Sequence, residues 1–289
     1  EQYLLDLVTY TLGIRKRSTS SFRHQKRRVN VRSLRMTLGP PSTALAFASL
    51  LATSSLIIDA KCQNNKEPLA KEKLKALGIT IFTDNNTGSV TEVLGNGNNK
   101  MSDSDLILIS NFKEITDLSL ERTQITDAGI SHLSALKKLE WLNLYKTKIG
   151  NAGLEKLSKI NSLKILPIGS TLINDQGLFH LKKMPQLEYL GLRGNPITDH
   201  GLMQIKILFN LKGLNLGETK VTDKGLKKIS NLGNLEELWL QETSVSDASI
   251  RELEKLSKLR SLDLRNTQFT DNGIDELRKK LSNCTVRFE

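Results

Sequence analysis

Residues 123–130 read TQITDAGI, and versions of this phrase return every 24 residues in the second half of the chain. The later versions are TKIGNAGL from residue 147, TLINDQGL from 171, NPITDHGL from 195, TKVTDKGL from 219, TSVSDASI from 243 and TQFTDNGI from 267. A fixed period of this length indicates one supersecondary unit that stacks on copies of itself. The question is whether the residues of this phrase have a structural role or a catalytic one.

Two apolar columns stand just before each copy of the phrase. Leu118 and Leu120 precede the first copy, and the residues at each later multiple of 24 are again Leu or, once, Ile. Apolar residues two apart face the same side of a strand, so each L-x-L predicts a short strand with one buried face. After the phrase, Ile130, Leu133 and Leu136 have the spacing of a helical stripe. Each unit is therefore predicted to be strand, turn, helix and return.

Stacking of these units decides the predicted architecture. One unit cannot bury its apolar face alone, so neighbouring units do so together. Parallel strands lie about 4.8 Å apart, whereas packed helices need roughly 8–10 Å. The helical side must fan outward, which predicts an α/β solenoid bent into an arc. The parallel β-sheet then lines the concave face, and the helices cover the convex face.

The pattern L-x-x-L-x-L-x-x-T-x-I-T-D-x-G-L resembles the leucine-rich-repeat family over about residues 90–289. It is most similar to the 24-residue, cysteine-containing-like branch, the ribonuclease-inhibitor-like repeats, with Thr in the usual Asn or Cys column. Such arrays occur in exported bacterial proteins. The resemblance implies a horseshoe whose concave face binds a protein.

The ends of the array are predicted by the same register. Counting back 24 residues from Leu118 gives Leu94, so the repeat domain is expected to span residues 94–289, with about eight coils and a closing strand at Val286 and Phe288. Residues 61–93 are predicted to form an N-terminal cap, consisting of a short helix from Pro68 and a hairpin.

Three columns of the phrase are predicted to have structural roles. The Thr or Asn column is expected to satisfy backbone groups of adjacent coils. The Asp column precedes each helix and fits the N-cap role, and the Gly column suggests a crowded helix start. These columns include Thr123, Thr147 and Asn195 in the first, Asp127, Asp199 and Asp223 in the second, and Gly129 in the third. A catalytic role for the aspartates is disfavoured because every repeat carries the column.

Residues that flank the buried leucines are predicted to project from the concave face. They include both tryptophans, and they place a row of large side chains across three strands with glycines around it. The predicted partner-binding residues are Trp141, Tyr145, Ile165, Tyr189, Arg193 and Trp239. Exposed aromatics beside an arginine are typical of an interface hot spot, so a protein partner is predicted, with a surface glycan as the second class of ligand. The alternative is that these aromatics are scattered surface residues or pack on each other.

No pattern of catalytic or metal-binding residues is present in the sequence. The four histidines have no ligand spacing, and there is no phosphate loop or nucleophile elbow. The chain is therefore predicted to be a non-catalytic binding module without a cofactor or a metal.

The charge of the chain is concentrated at its beginning. Nine Lys or Arg and two acidic residues lie in residues 1–35, whereas 33 basic and 28 acidic residues follow from Lys61, out of a formal net charge of +11. The basic excess thus gives no specific nucleic-acid prediction for the repeats. The outer helices carry lysine pairs such as Lys182 and Lys183, which predict a solvated face, with attraction to anionic polymers or lipid as the alternative.

Residues 36–60 have an apolar run of about fifteen residues, which favours a signal peptide over a spanning helix, for which roughly twenty residues are needed. Residues 1–35 are then a basic leader or upstream sequence, the protein is secreted or cell-envelope bound, and membrane contact is limited to an N-terminal anchor. The rival hypothesis is an intracellular F-box-like leucine-rich-repeat adaptor of a ubiquitin ligase. That class needs a helical recruitment domain of some forty residues, where this chain has the basic and apolar segments.

Overall fold

The computed structural model of the chain describes residues 66–288. The predicted leader, the predicted signal segment and Cys62 lie outside the described residues. Among residues 66–288, no helix is long and apolar enough to cross a membrane.

A single sheet runs through the described part of the chain, and its ten strands lie side by side in sequence order. The first two strands form an antiparallel hairpin, and from the second strand onward all neighbours are parallel. The strands are β1 Thr80–Thr83, β2 Val90–Leu94, β3 Asp117–Ser119, β4 Trp141–Asn143, β5 Ile165–Pro167, β6 Tyr189–Gly191, β7 Gly213–Asn215, β8 Glu237–Trp239, β9 Ser261–Asp263 and β10 Thr285–Arg287.

Helices lie between the strands, and a longer helix precedes the hairpin. The α-helices within residues 66–288 are α1 Glu67–Ala76, α2 Leu106–Ile109, α3 Asp127–Ile130, α4 Asn151–Leu157, α5 Leu202–Ile205, α6 Asp223–Ile229, α7 Ile250–Glu254 and α8 Asp271–Lys280. Shorter 3-10 segments are Asp103–Asp105, Ser131–Ala135, Gly177–Lys183 and Asp247–Ser249. In three coils a 3-10 segment continues or precedes an α-helical turn, and in the coil between β5 and β6 the helical side is 3-10 alone.

The core is one continuous apolar layer between the sheet and the helices. Leu118 faces Leu142 across β3 and β4, and both leucine columns of the strands are at most 1% exposed. The helical stripe, with Ile130, Leu133 and Leu136, closes the same cluster from the other side. The predicted α/β solenoid of leucine-rich-repeat type, with its parallel sheet on the inner face, is confirmed.

The first repeat departs from the 24-residue register. Val93, not Leu94, lies opposite Leu118, so the prediction that Leu94 occupies the leucine column is wrong. Val93 is fully buried, and Leu94 faces Ser119 on the other side of the sheet. The helical part of this coil keeps the 24-residue spacing, because Asp103 bonds to Thr126 as Asp127 bonds to Gly150. The turn between Asn98 and Met101 therefore carries one extra residue.

The aspartate column links neighbouring coils instead of capping its own helix. Asp199 Oδ1 accepts from the backbone N–H of Thr222 at 2.8 Å, and Asp199 Oδ2 accepts from the Thr222 hydroxyl at 2.7 Å. Equivalent bonds join Asp103 to Thr126, Asp175 to Thr198, Asp223 to Ser246 and Asp247 to Thr270, while Asp127 accepts from Gly150 and Asn151 from Asn174.

The predicted N-cap role of Asp127, Asp199 and Asp223 is therefore wrong. The residue before the aspartate is the N-cap in α3 and α6, where the hydroxyls of Thr126 and Thr222 accept from the helix N–H groups. We call the inter-coil bonds the aspartate ladder.

The glycine column leaves the space that the aspartate ladder occupies. A Cβ atom on Gly129 would lie 2.5 Å from Asp103 Oδ1, and one on Gly225 would lie 2.4 Å from Asp199 Oδ1. Real Cβ atoms do not approach an oxygen so closely. The glycine of one coil and the aspartate of the coil before it are thus one structural unit.

The threonine column acts within its own coil, which corrects the prediction that it serves adjacent coils. The hydroxyls of Thr123 and Thr147 donate to the carbonyl oxygens of Leu120 and Leu144, three residues earlier. Asn195 does bridge coils, because its amide donates to Ile168 O and accepts from Thr171 N–H. Asn98 makes the same type of bond to Leu77 O in the cap.

Opposite charges alternate along the edge of the sheet where the strands begin. From β4 to β9 the residue before each strand is alternately acidic and basic, and salt bridges join these residues in pairs. The pairs are Glu140 with Lys164 at 2.9 Å, Glu188 with Lys212 at 2.7 Å and Glu236 with Arg260 at 3.9 Å. We call this set the charge row.

Candidate functional site

The concave face carries a small, partly accessible apolar centre. Trp141 on β4 and Ile165 on β5 are direct partners across the two strands, and both are half-buried. Asp117, the partner of Trp141 on β3, is also half-buried and extends this row toward the N-terminal end. These side chains point away from the core because Leu118, Leu142 and Leu166 beside them point into it.

Three aromatics of the predicted site are nearly covered, which corrects the prediction that they are exposed. Tyr145 is 6% exposed, Tyr189 2% and Trp239 7%. Tyr189 and Trp239 meet edge to face, with ring centroids 6.0 Å apart and planes at 72°. Because β7 lies between their strands, they meet across Gly213, where a Cβ atom would lie 2.6 Å from the Tyr189 ring.

Tyr145 is covered in the same way. Its ring lies 3.1 Å from the position that a Cβ atom of Gly169 would take in the following coil. The ammonium of Lys146 lies 5.3 Å from the centroid of the ring. The space over Gly169 and over Gly213 is therefore occupied by a neighbouring tyrosine ring, and these rings lie against the sheet instead of projecting from it.

Arg193 and Glu218 form the charged element beside the aromatics. Arg193 Nε donates to Glu218 Oε1 at 2.7 Å, and the guanidinium Nη2 donates to the same oxygen. Burial acts to lower the pKa of Arg193, but the hydrogen bond and the charge of Glu218 outweigh it, so this pKa is raised. The guanidinium stays charged at any physiological pH and is held toward β7.

Four of the residues between the leucine columns are buried and polar, namely Ser119, Asn143, Asn215 and Asp263, and no role is predicted for them from the sequence. Asn143 Nδ2 donates to Glu121 Oε2 at 3.2 Å, and Asp263 accepts from Arg265 Nη2 at 2.6 Å. Asn143 and Asn215 also accept from the backbone N–H groups of Tyr145 and Gly217. The sequence predicts the direction of these side chains, since the residue between the two leucines of a strand faces the concave side. It does not predict that they are buried, because their burial depends on the lengths of neighbouring side chains.

The predicted site is thus only partly assembled as an accessible surface. Trp141, Ile165 and Arg193 remain half-buried and reachable, while Tyr145, Tyr189 and Trp239 support them from below or beside. Among residues 66–288, no group of three or more His, Cys, Asp or Glu is close enough to hold a metal ion.

Cys284 is a half-buried free thiol in the described part of the chain, and burial raises its pKa to about 11. At pH 8 its thiolate fraction is then about 0.1%, against roughly a quarter for an unperturbed cysteine with a pKa of about 8.5. We expect iodoacetamide to alkylate Cys284 on the order of 100-fold more slowly in the folded protein than in guanidinium-unfolded protein. Peptide mass spectrometry separates this thiol from Cys62, and equal rates in both states would contradict the burial.

Comparisons with known proteins agree with this geometry. A sequence profile described as Leucine Rich repeat matches residues 208–230 and 255–277. The two matched segments are 47 residues apart from start to start, close to two coils. The matched segments are leucine-rich repeats, and the array has the leucine-rich-repeat fold.

Two solved internalin structures from Listeria monocytogenes share this leucine-rich-repeat fold. Internalin inlF is 28% identical with a TM-score of 0.52, over 63% of this chain and 50% of that chain. Internalin C2 is 24% identical with a TM-score of 0.57, over 76% of this chain and 92% of that chain. The chain spans half the length of inlF, and the likeness to that protein concerns the fold. No curated protein matches the chain.

Proposed function

We propose that the chain is a non-catalytic binding module that holds a protein partner against the concave face of its leucine-rich repeats. The observation that carries the proposal is the half-buried pair of Trp141 and Ile165 on adjacent strands. A large aromatic and a branched aliphatic side chain, side by side on a rigid sheet, offer the apolar centre that protein interfaces use.

The surroundings of this centre favour a preorganised site. Tyr145 lies beside Trp141 on the same stretch of chain and is fixed over Gly169, while Tyr189 follows Ile165 across the next strand pair. Side chains that are already locked lose little conformational freedom on binding. Asp117 on one side and the Arg193–Glu218 pair on the other give the polar rim that fixes orientation.

The leucine-rich-repeat family and the likeness to internalins support a protein-binding scaffold at the cell surface or outside the cell. Export through residues 36–60 belongs to the same proposal, and so does the concave position of the site. The 24-residue ribonuclease-inhibitor-like type of repeat stays a prediction.

We expect the double variant Trp141→Ala/Ile165→Ala to bind the partner at least about tenfold more weakly than the wild type, because truncating central anchors costs 1–2 kcal/mol or more each. The partner is identified by photo-crosslinking from a benzoylphenylalanine placed at Ser261, which lies in the same concave column, and affinity is then measured by surface plasmon resonance. The matched control is Lys159→Ala on an exposed convex position. If the double variant and the control bind equally well, the concave site is wrong.

A further inference from the structure

An exposed apolar patch lies on the convex side, away from the proposed binding face. Four large apolar side chains form it: Phe179 is 49% exposed, Met203 42%, Ile207 38% and Phe209 59%. Half of the large apolar residues that are exposed in residues 66–288 fall in this short stretch. We call these four residues the convex patch.

The convex patch is a contiguous surface across two neighbouring coils. Phe179 in the 3-10 segment and Met203 in α5 are 24 residues apart, so they hold the same position in adjacent coils, and the two helical segments pack on each other. Ile207 follows Met203 by four residues, about one helical turn. Phe209 then begins the return toward β7.

The backbone beneath the patch is held on both sides. Asn234 Nδ2, in the following coil, donates to Phe209 O at 2.8 Å. Asn210 Nδ2 donates back to Pro185 O, in the preceding coil, at 2.8 Å. The backbone of Phe209 is therefore fixed by neighbouring coils, so the exposure of its ring is a feature of the folded coil.

Lysines surround the convex patch without acidic partners on the same helical segments. The Lys182 ammonium lies 3.4 Å from the centroid of the Phe179 ring, and Lys183 and Lys206 are exposed nearby. Residues 177–187, 201–211 and 225–235 contain no Asp or Glu.

The acids of these coils are engaged elsewhere. Glu188 pairs with Lys212, and Glu218 pairs with Arg193 on the concave side. Asp199 and Asp223 belong to the aspartate ladder. The positive charge around the patch therefore remains available to an anionic partner.

The composition and the shape of this face point to a lipid surface. Its cations are all lysine, a residue that protein interfaces disfavour relative to arginine, whereas phenylalanine with lysine is typical of segments that lie in a bilayer interface. A flat bilayer can contact a convex arc only over a few coils. The exposed apolar residues are confined to two adjacent coils, so one such contact can reach all of them. Each lysine near an anionic bilayer adds attraction, and the rings add burial of apolar area.

We propose that the convex face of the two coils around Phe179 and Met203 is a peripheral membrane-binding surface, which inserts the convex patch into the interfacial region of an anionic bilayer. The lysines contact lipid headgroups. The concave face points away from the bilayer in this orientation and stays open, so the inference does not depend on the proposed protein-binding site.

The test uses the full chain and a local probe, because residues 1–65 could themselves attach to vesicles. An NBD fluorophore is placed on Met203→Cys in a Cys62→Ser/Cys284→Ser background. The matched control is Ser131→Cys, an exposed residue at the same position of a coil three units away. With phosphatidylglycerol vesicles we expect a blue shift and a several-fold rise in NBD emission at position 203, little change at 131, and no response to phosphatidylcholine vesicles.

Substitution of the patch gives a second measurement. Phe179→Ser/Phe209→Ser should raise the lipid concentration needed for half of the NBD change at least about tenfold, because both rings lose their apolar burial. These positions are exposed, so the variant is expected to keep its thermal transition. An equal response at positions 131 and 203 would overturn the proposal, as would an unchanged titration. A response to soluble polyglutamate but not to vesicles would assign this face to an acidic protein, and would equally overturn it.

Discussion

Gly225→Ala is expected to lower the free energy of unfolding by about 3 kcal/mol. The new Cβ would lie 2.4 Å from Asp199 Oδ1 and 2.9 Å from Leu202 Cδ1, so the carboxylate must leave its place in the aspartate ladder. Overpacking of this kind costs typically 1–3 kcal/mol, and the lost hydrogen bonds add to it. The measurement is urea-induced unfolding followed by circular dichroism.

Gly233→Ala is the matched control for this substitution. Gly233 has nothing within 4 Å of an added Cβ atom and has no left-handed backbone angle. The same chemical change should therefore be neutral or slightly stabilising, since alanine restricts the unfolded chain. If both variants lost the same stability, the crowding between Gly225 and Asp199 would not be the cause.

Asp199→Ala is expected to lower the free energy of unfolding by about 2–4 kcal/mol. The substitution leaves the Thr222 N–H and hydroxyl without the two oxygens that accept from them at 2.8 and 2.7 Å. Hydrogen bonds to charged groups contribute roughly 1.5–3 kcal/mol each, and part of this loss is recovered where water reaches half-buried Thr222. The measurement is the same urea titration.

Asp271→Ala is the control, because Asp271 occupies the same column and is exposed, with no ladder bond to a following coil within residues 66–288. Its effect should stay near that of a surface substitution, about 0.5 kcal/mol or less. The double variant Asp199→Ala/Gly225→Ala gives the sharpest test. Its loss should be clearly smaller than the two single losses added together, since the atom that clashes is already gone. Strict additivity would contradict a shared cause.

The hydrogen-bond partners of the aspartate column could not be predicted from the local sequence. An acid that follows a Ser or Thr at a helix start has the local signature of capping, and Thr126 in fact holds that role. The partner of Asp103 is 23 residues away in the chain, in the next coil. Periodicity predicts that coils stack, but it does not say which polar groups cross between them.

The concave site shows the same limit for exposure. Alternation in the strands predicts that Trp239 and Tyr189 face away from the leucines, and they do. Whether they reach solvent depends on the glycine between them and on the 6.0 Å contact of their rings. The repeat fold follows from the Leu118 and Leu120 columns alone, because those columns fix the strand faces. The extra residue before Met101 could not be found by counting, since Leu94 also fits the column chemically.

The charge row has a consequence for how the chain reaches its final order. Coils of nearly equal sequence could dock with one coil omitted, so that β4 pairs with β6. That arrangement would place Glu140 beside Glu188, and the equivalent omission in which β5 pairs with β7 would place Lys164 beside Lys212, whereas correct docking brings Glu140 and Lys164 to 2.9 Å. Like charges directly opposite on neighbouring strands are unfavourable, and repeat proteins are prone to such misassembly. The alternation of charge with a period of two coils thus disfavours pairing between strands of next-nearest coils during folding.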